Sequence, residues 1–161
     1  MKSSIATICI LGLAGMVVGM AVQGAEQSVT ATVTVQNISV TVSPNTIPYG
    51  TLPANTESDP SAVITATNNG NVTENFNIYG AATTPGGWTL GATAGNNVYV
   101  HKFSTDGTYT TWTPLTTSPQ ALATNITAGT GTDEFELKIT TPTTTSDYSQ
   151  QSAVVTVQAT I

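Results

Sequence analysis

The sequence is poor in cysteine, in positive charge and in helix formers. Its single cysteine, Cys9, lies near the amino terminus. The rest of the chain therefore holds no disulfide, no catalytic thiol and no cysteine-ligated metal. Arginine is absent, and only Lys102 and Lys138 are basic beyond Lys2. Nucleic-acid backbones and anionic lipid surfaces are bound through clustered Lys and Arg, so neither is an expected partner. Charged residues make up 7% of the chain and the formal net charge is -6, while hydrophobic residues reach 39%. Disordered chains combine low hydrophobicity with high charge, and this composition is the reverse. Glu, Lys and Leu are scarce and no window carries a helical apolar stripe.

The one long apolar run is at the start. Lys2 supplies a positive n-region, Ile5 to Val22 an apolar stretch, and Val22-Gln23-Gly24 or the bond after Ala25 a small-residue cleavage site. Residues 1–25 therefore read as a signal peptide. A retained anchor pairing through Gly15 and Gly19 is the weaker reading. The run is at the short end of the roughly 17–25 residues a span needs, and a β pattern follows without a linker. Cys9 sits too early for a lipoprotein signal. Cleavage leaves a secreted chain without stable membrane insertion. At roughly 135 residues it is one domain, large enough to bury a core without disulfide staples.

What the chain has is threonine, about one residue in five, with abundant Val, Asn and Ser. Thr and Val are stiff at χ1 and suit a pleated surface. The hydrophobic period is two nearly throughout, the mark of half-buried strands. Strands are expected over Ser28–Val35, from Ile38 to Val42, and over Ala62–Thr67, Val72–Tyr79, Trp88–Leu90, Val98–Phe103, Tyr109–Trp112, Phe135–Ile139 and Ala153–Ile161. Turn chemistry separates them at Asn68-Asn69-Gly70-Asn71, Pro85-Gly86-Gly87, Asn96-Asn97 and Asp106-Gly107. Leu115 and Leu122 fill the base of the core. About nine short strands at this spacing predict an all-β sandwich, immunoglobulin-like or jelly-roll.

Residues 26–36 stand apart. Val29, Ala31, Val33 and Val35 make one apolar face, and Ser28, Thr30, Thr32 and Thr34 make the other. After Gln36-Asn37 the phase slips, and Ile38, Val40 and Val42 carry the apolar face. A slip of one residue turns every side chain over. Three arrangements produce it: a bulged strand, two strands in different sheets, or a strand that leaves its own domain. At about 3.3 Å per residue the run spans about 35 Å, the height of a sandwich. The domain plan is thus a signal peptide over 1–25, a candidate donor strand over 26–36, and a β-sandwich over 37–161.

The segment Ile64-Thr65-Ala66-Thr67-Asn68-Asn69-Gly70-Asn71-Val72, with Phe76 and Ile78 after it, resembles a strand junction of secreted immunoglobulin-like sandwiches. Phe135–Val157 resembles the closing hairpin of that class. The overall plan is similar to that of prokaryotic filament subunits of the TasA and archaeal bundling-pilin kind. These have a leader, an extended Thr/Val strand and a cysteine-free sandwich ending on its last strand. That resemblance implies a homopolymeric extracellular filament or pilus in which the amino-terminal strand of one subunit completes the sheet of the next. Val29, Ala31, Val33 and Val35 would then be the interface residues, and copies of the same chain the partners. The second reading is a monomeric cell-surface adhesion or glycan-binding module.

No cofactor, metal site or catalytic residue is expected. His101 is the only histidine and alternates out of phase with Val98 and Val100, an outward position with no serine elbow to serve. Glu74, Asp133, Glu134 and Glu136 could supply a carboxylate pair, but Glu134 and Glu136 fall on the polar face of a strand. Glu57 and Asp59 share a loop, and Asp106, Asp133 and Asp147 lie in other turns. None shows the Asp-x-Asp spacing of a calcium loop. Lys102 or Lys138 would need an Asn and a buried acid to form an isopeptide, and a cross-strand ion pair is the simpler use. Asn37, Asn71 and Asn125 begin Asn-x-Ser/Thr sequons and are candidate glycosylation sites. Trp88, Tyr99, Tyr109 and Trp112 are either an aromatic sugar strip or core packing.

Overall fold

The computed structural model describes residues 26–161. The signal peptide expected over 1–25 lies outside the described residues, among which no helix is long and apolar enough to cross a membrane. The chain divides at Val33/Thr34 into two units, and the second unit is an all-β, two-sheet sandwich.

Nine strands are present among the described residues: β1 (Val40–Ser43), β2 (Ile64–Asn68), β3 (Glu74–Gly80), β4 (Thr89–Leu90), β5 (Val98–Ser104), β6 (Thr113–Pro114), β7 (Gln120–Ile126), β8 (Thr132–Thr140) and β9 (Val155–Thr160). The first sheet has the order β1-β2-β8-β5-β4, with β6 also paired to β5, and the second has the order β7-β3-β9. All pairs are antiparallel except β4 with β5.

Alternation places the core. Ile64 and Ala66 of β2, Phe103 of β5, and Phe135 and Leu137 of β8 face Phe76 and Ile78 of β3 and Leu122 and Ile126 of β7. Leu115 is buried with them, as expected for both Leu115 and Leu122. The β2–β3 junction crosses between the sheets. Asn68, fully buried, holds it: its Nδ2 donates to the Val72 and Ile126 carbonyls at 2.9 and 3.0 Å, and its Oδ1 accepts the Gly70 N–H at 2.7 Å. A buried amide with its donors and acceptor all used stabilises a unique crossing.

Four expectations are corrected. Residues 28–35 form no strand. Tyr109–Trp112 is a loop, because the Asp106 carboxylate accepts the backbone N–H groups of Thr108, Thr110 and Thr111 and coils the segment around itself. β7 was not expected: Leu122 and Ile126 are buried four residues apart, and register shifts beside them break the two-residue period. The segment around Phe135–Val157 is no hairpin, since β8 and β9 lie in different sheets.

Candidate functional site

The four residues expected to form a donated face are all exposed. Val29 and Val33, in the first unit, are 95% and 91% exposed, Ala31 is exposed, and the stretch from Glu26 to Val33 has no ladder partner among the described residues. Val35, at the start of the second unit, is 82% exposed. Solvent thus reaches all four side chains.

The sequence change at Gln36-Asn37 marks a clamp. The Asn71 side chain grips the backbone on both sides of Gln36: its Nδ2 donates to the Val35 carbonyl at 2.9 Å, and its Oδ1 accepts the Asn37 N–H at 2.8 Å. The Asn71 N–H donates to the Asn37 carbonyl at 3.1 Å and the Asn69 N–H to the Ser39 carbonyl at 2.8 Å. The Ser39 N–H donates to Glu74 Oε1 at 2.8 Å. Gly70 lies under this clamp. A Cβ on it would overlap Glu74 Oε1 and the Asn37 carbonyl, so glycine is required there for close approach. Positive φ, the expected reason for Gly in this turn, is absent at Gly70 and present at Gly86, Asn97 and Gly107 of the other turns.

The sequons fall at different depths of use. Asn37, Asn71 and Asn125 are all exposed. The Asn71 amide is committed to the clamp, and Asn125 adopts φ 59° at the irregular end of β7.

His101 is corrected from an outward to an inward residue. It pairs with Ile139, shares its face with Tyr99 and Phe103, and is 2% exposed. Both phases of β5 carry apolar side chains, and Val100, buried on the other face, misdirects the reading. The His101 Nε2 and the Tyr49 hydroxyl are 3.0 Å apart, and Nδ1 has no partner among the described residues. Burial pushes the imidazole down to about 4 and the Tyr49 hydroxyl up, so the pair is neutral at physiological pH. The buried serine hydroxyls of Ser58 and Ser61 are engaged elsewhere, accepting the Ile139 and Leu137 N–H groups at 3.1 and 3.0 Å.

The acids do not converge. Glu74 is buried at the start of β3 in the second sheet, while Glu134 and Glu136 lie on the polar face of β8. Asp133 is raised by desolvation and by Glu134. Glu57 meets two lysines, with Lys102 Nζ at 2.5 Å from Oε2 and Lys138 Nζ at 3.5 Å from Oε1. Asp147 accepts the Ser149 N–H and hydroxyl and the Gln151 amide. Among the described residues no group of three His, Cys, Asp or Glu is placed to hold a metal ion.

The aromatics split into two groups. Trp88 packs on Tyr99, with ring centroids 6.4 Å apart, and Tyr99 is fully buried with its hydroxyl on the Ala81 carbonyl. Trp112 lies on the outer face of the first sheet, where the Lys138 ammonium sits 4.6 Å from its ring centroid. The four residues form no single strip.

No protein-family model, no curated protein and no solved structure matches the chain.

Proposed function

We propose that the protein is a structural subunit of an extracellular filament or surface assembly, polymerising by donation of its amino-terminal strand to a neighbouring copy. The observation that carries this reading is the exposure of Val29, Val33 and Val35, which alternate with threonines in a segment that has no ladder partner among the described residues. An alternating apolar face in water is a strand without its sheet, and strand addition is a recurrent mode of peptide recognition. The clamp at Asn37 supports it further. It holds the backbone at Val35 and Asn37, while residues 26–34 have no ladder partner among the described residues.

The energies set a limit. Burying four such side chains contributes about 5–8 kcal/mol at about 25 cal/mol per Å². Each new ladder bond adds about 0.5–1.5 kcal/mol net. Association costs about 4–15 kcal/mol. The strand alone is marginal, so a stable filament also needs contacts between sandwich bodies.

The test is negative-stain electron microscopy with light scattering on the mature chain, with and without residues 25–36. Filaments that vanish on truncation are the expected result. Monomers in both forms, with the segment affecting only stability, would overturn the proposal.

A further inference from the structure

Resting on the donation reading, we infer that the acceptor site is the open seam between β1 and β9, and that the donated strand of a second copy enters it antiparallel to β9.

The seam is where the sandwich is unfinished. Among the described residues β1 ends the first sheet, pairing only with β2, and β9 ends the second, pairing only with β3. On the opposite side the chain itself passes from β6 to β7, and Leu115 is buried there against the backbone of Gly80. On the β1/β9 side the two edge strands approach each other directly, with Ile47 packed beside them and no strand between them among the described residues. A cavity of about 110 Å³ opens there, walled by Val42, Ile47, Ile64, Leu137, Val155 and Val157 among others. Protein interiors are close-packed, with few voids larger than a water molecule. Val40, Val42, Ile47, Val155, Val157 and Ala159 all stay partly exposed, so the gap leaves the apolar layer of both sheets incomplete.

The edge itself is unguarded. Exposed edge strands are normally blunted by Lys, Pro, inward charges or bulges. β9 reads Val155-Thr156-Val157-Gln158-Ala159-Thr160, with none of these. Its outer row of backbone N–H and C=O groups is a template for one more strand.

The occupant is identified by complementarity. Residues 27–36 carry no charge and no proline, and present an apolar residue at every second position from Val29 to Val35. At about 3.3 Å per residue that stretch covers about 23 Å, against about 20 Å for the six residues of β9. Its valines would enter between the sheets and its threonines would face water, as on the strands already present.

Topology sets the direction. Val155 pairs with Gly80 at one end of the sandwich and Thr160 with Asn75 at the other, the end that holds the Asn71 clamp. A strand antiparallel to β9 leaves the seam at the Val155 end. Its own body, which begins at Asn37, then stacks with its clamp end against the acceptor's Val155 end. This contact is heterologous and does not close on itself, so it propagates as a filament. A strand of the same chain folding back beside β1 would run parallel to β9.

Cysteine cross-linking on the mature chain, which has no cysteine of its own, reads both location and direction. Singly substituted proteins are mixed and oxidised: Val35→Cys with Val155→Cys, and Val29→Cys with Ala159→Cys. Covalent dimers in these two mixtures, and their absence from the crossed mixtures (Val29→Cys with Val155→Cys, Val35→Cys with Ala159→Cys), are expected. If filaments form and are lost on truncation, but cross-links are missing or appear in the crossed mixtures, the seam or its direction is wrong and donation itself stands. If the doubly substituted Val29→Cys/Val155→Cys chain closes an internal disulfide as a monomer and no filaments form, both fail.

Discussion

The buried carboxylate of Glu74 accepts the backbone N–H of Ser39 at 2.8 Å, tying the second sheet to the segment that leads into β1. Glu74 is 1% exposed and its Oε2 has no partner among the described residues. Removing the side chain strands the Ser39 N–H and opens a void. Glu74→Ala is expected to destabilise by about 1–3 kcal/mol, from the lost bond to the half-buried Ser39 N–H together with the void. Glu74→Gln keeps an acceptor oxygen and is expected to cost less. Urea midpoints of the two variants check the order, and equal midpoints would show that this bond contributes nothing.

Gly70 and Gly107 give a matched contrast. Gly107 has φ +69° and open space around its missing Cβ, so Gly107→Ala is expected to cost about 1–2 kcal/mol through conformation alone. Gly70 has an ordinary φ, but its Cβ would strike Glu74 and the Asn37 carbonyl. Gly70→Ala is therefore expected to displace the clamp. Amide exchange at Asn37 and Ser39 should speed up in Gly70→Ala and stay unchanged in Gly107→Ala. Unchanged exchange in both would remove the close-approach explanation.

The contrast also shows what was legible in the sequence. β2, β3 and β8 alternate cleanly, and their buried positions follow from period two. The change of phase at Gln36-Asn37 was visible in the sequence. The Asn71 clamp at that position depends on a partner 34 residues away and leaves no local trace. β7 was hidden because its bulge spaces Leu122 and Ile126 like a helix. His101 was misplaced because both faces of β5 are buried, which removes the polar phase that would have oriented it. The bridging of Lys102 and Lys138 by Glu57 joins three residues distant in sequence, and only the β5–β8 register brings them together.

His101 makes stability depend on pH. Burial lowers the imidazole from 6.5 to about 4, so the unfolded chain binds a proton more readily than the folded one. Stability from this residue is full above pH 6.5, falls as pH drops toward 4, and levels off below. The total loss approaches about 3 kcal/mol, at about 1.4 kcal/mol per pKa step. His101→Phe has no proton to bind and is expected to flatten the unfolding midpoint between pH 6.5 and 4, whatever its effect at pH 7. A slope identical to that of the native chain would show that other groups cause it.

Lys102 and Lys138 stand directly opposite each other on β5 and β8, an arrangement of like charges that destabilises a strand pair. Glu57 bridges them from the loop before β2. The hydrogen bond from Lys102, ahead of an opposing desolvation and with the charges of both lysines, holds its carboxyl below the usual range. The Glu57 side chain is 38% exposed, so the bridge is screened and each pair contributes at most about 1 kcal/mol. Glu57→Gln leaves the two ammonium groups facing each other and is expected to lower stability slightly at low salt. With the Debye length shortened to about 3 Å at 1 M salt, the difference from the native chain should disappear. A deficit that persists at high salt would assign Glu57 a packing role instead, through its bridge to Thr140.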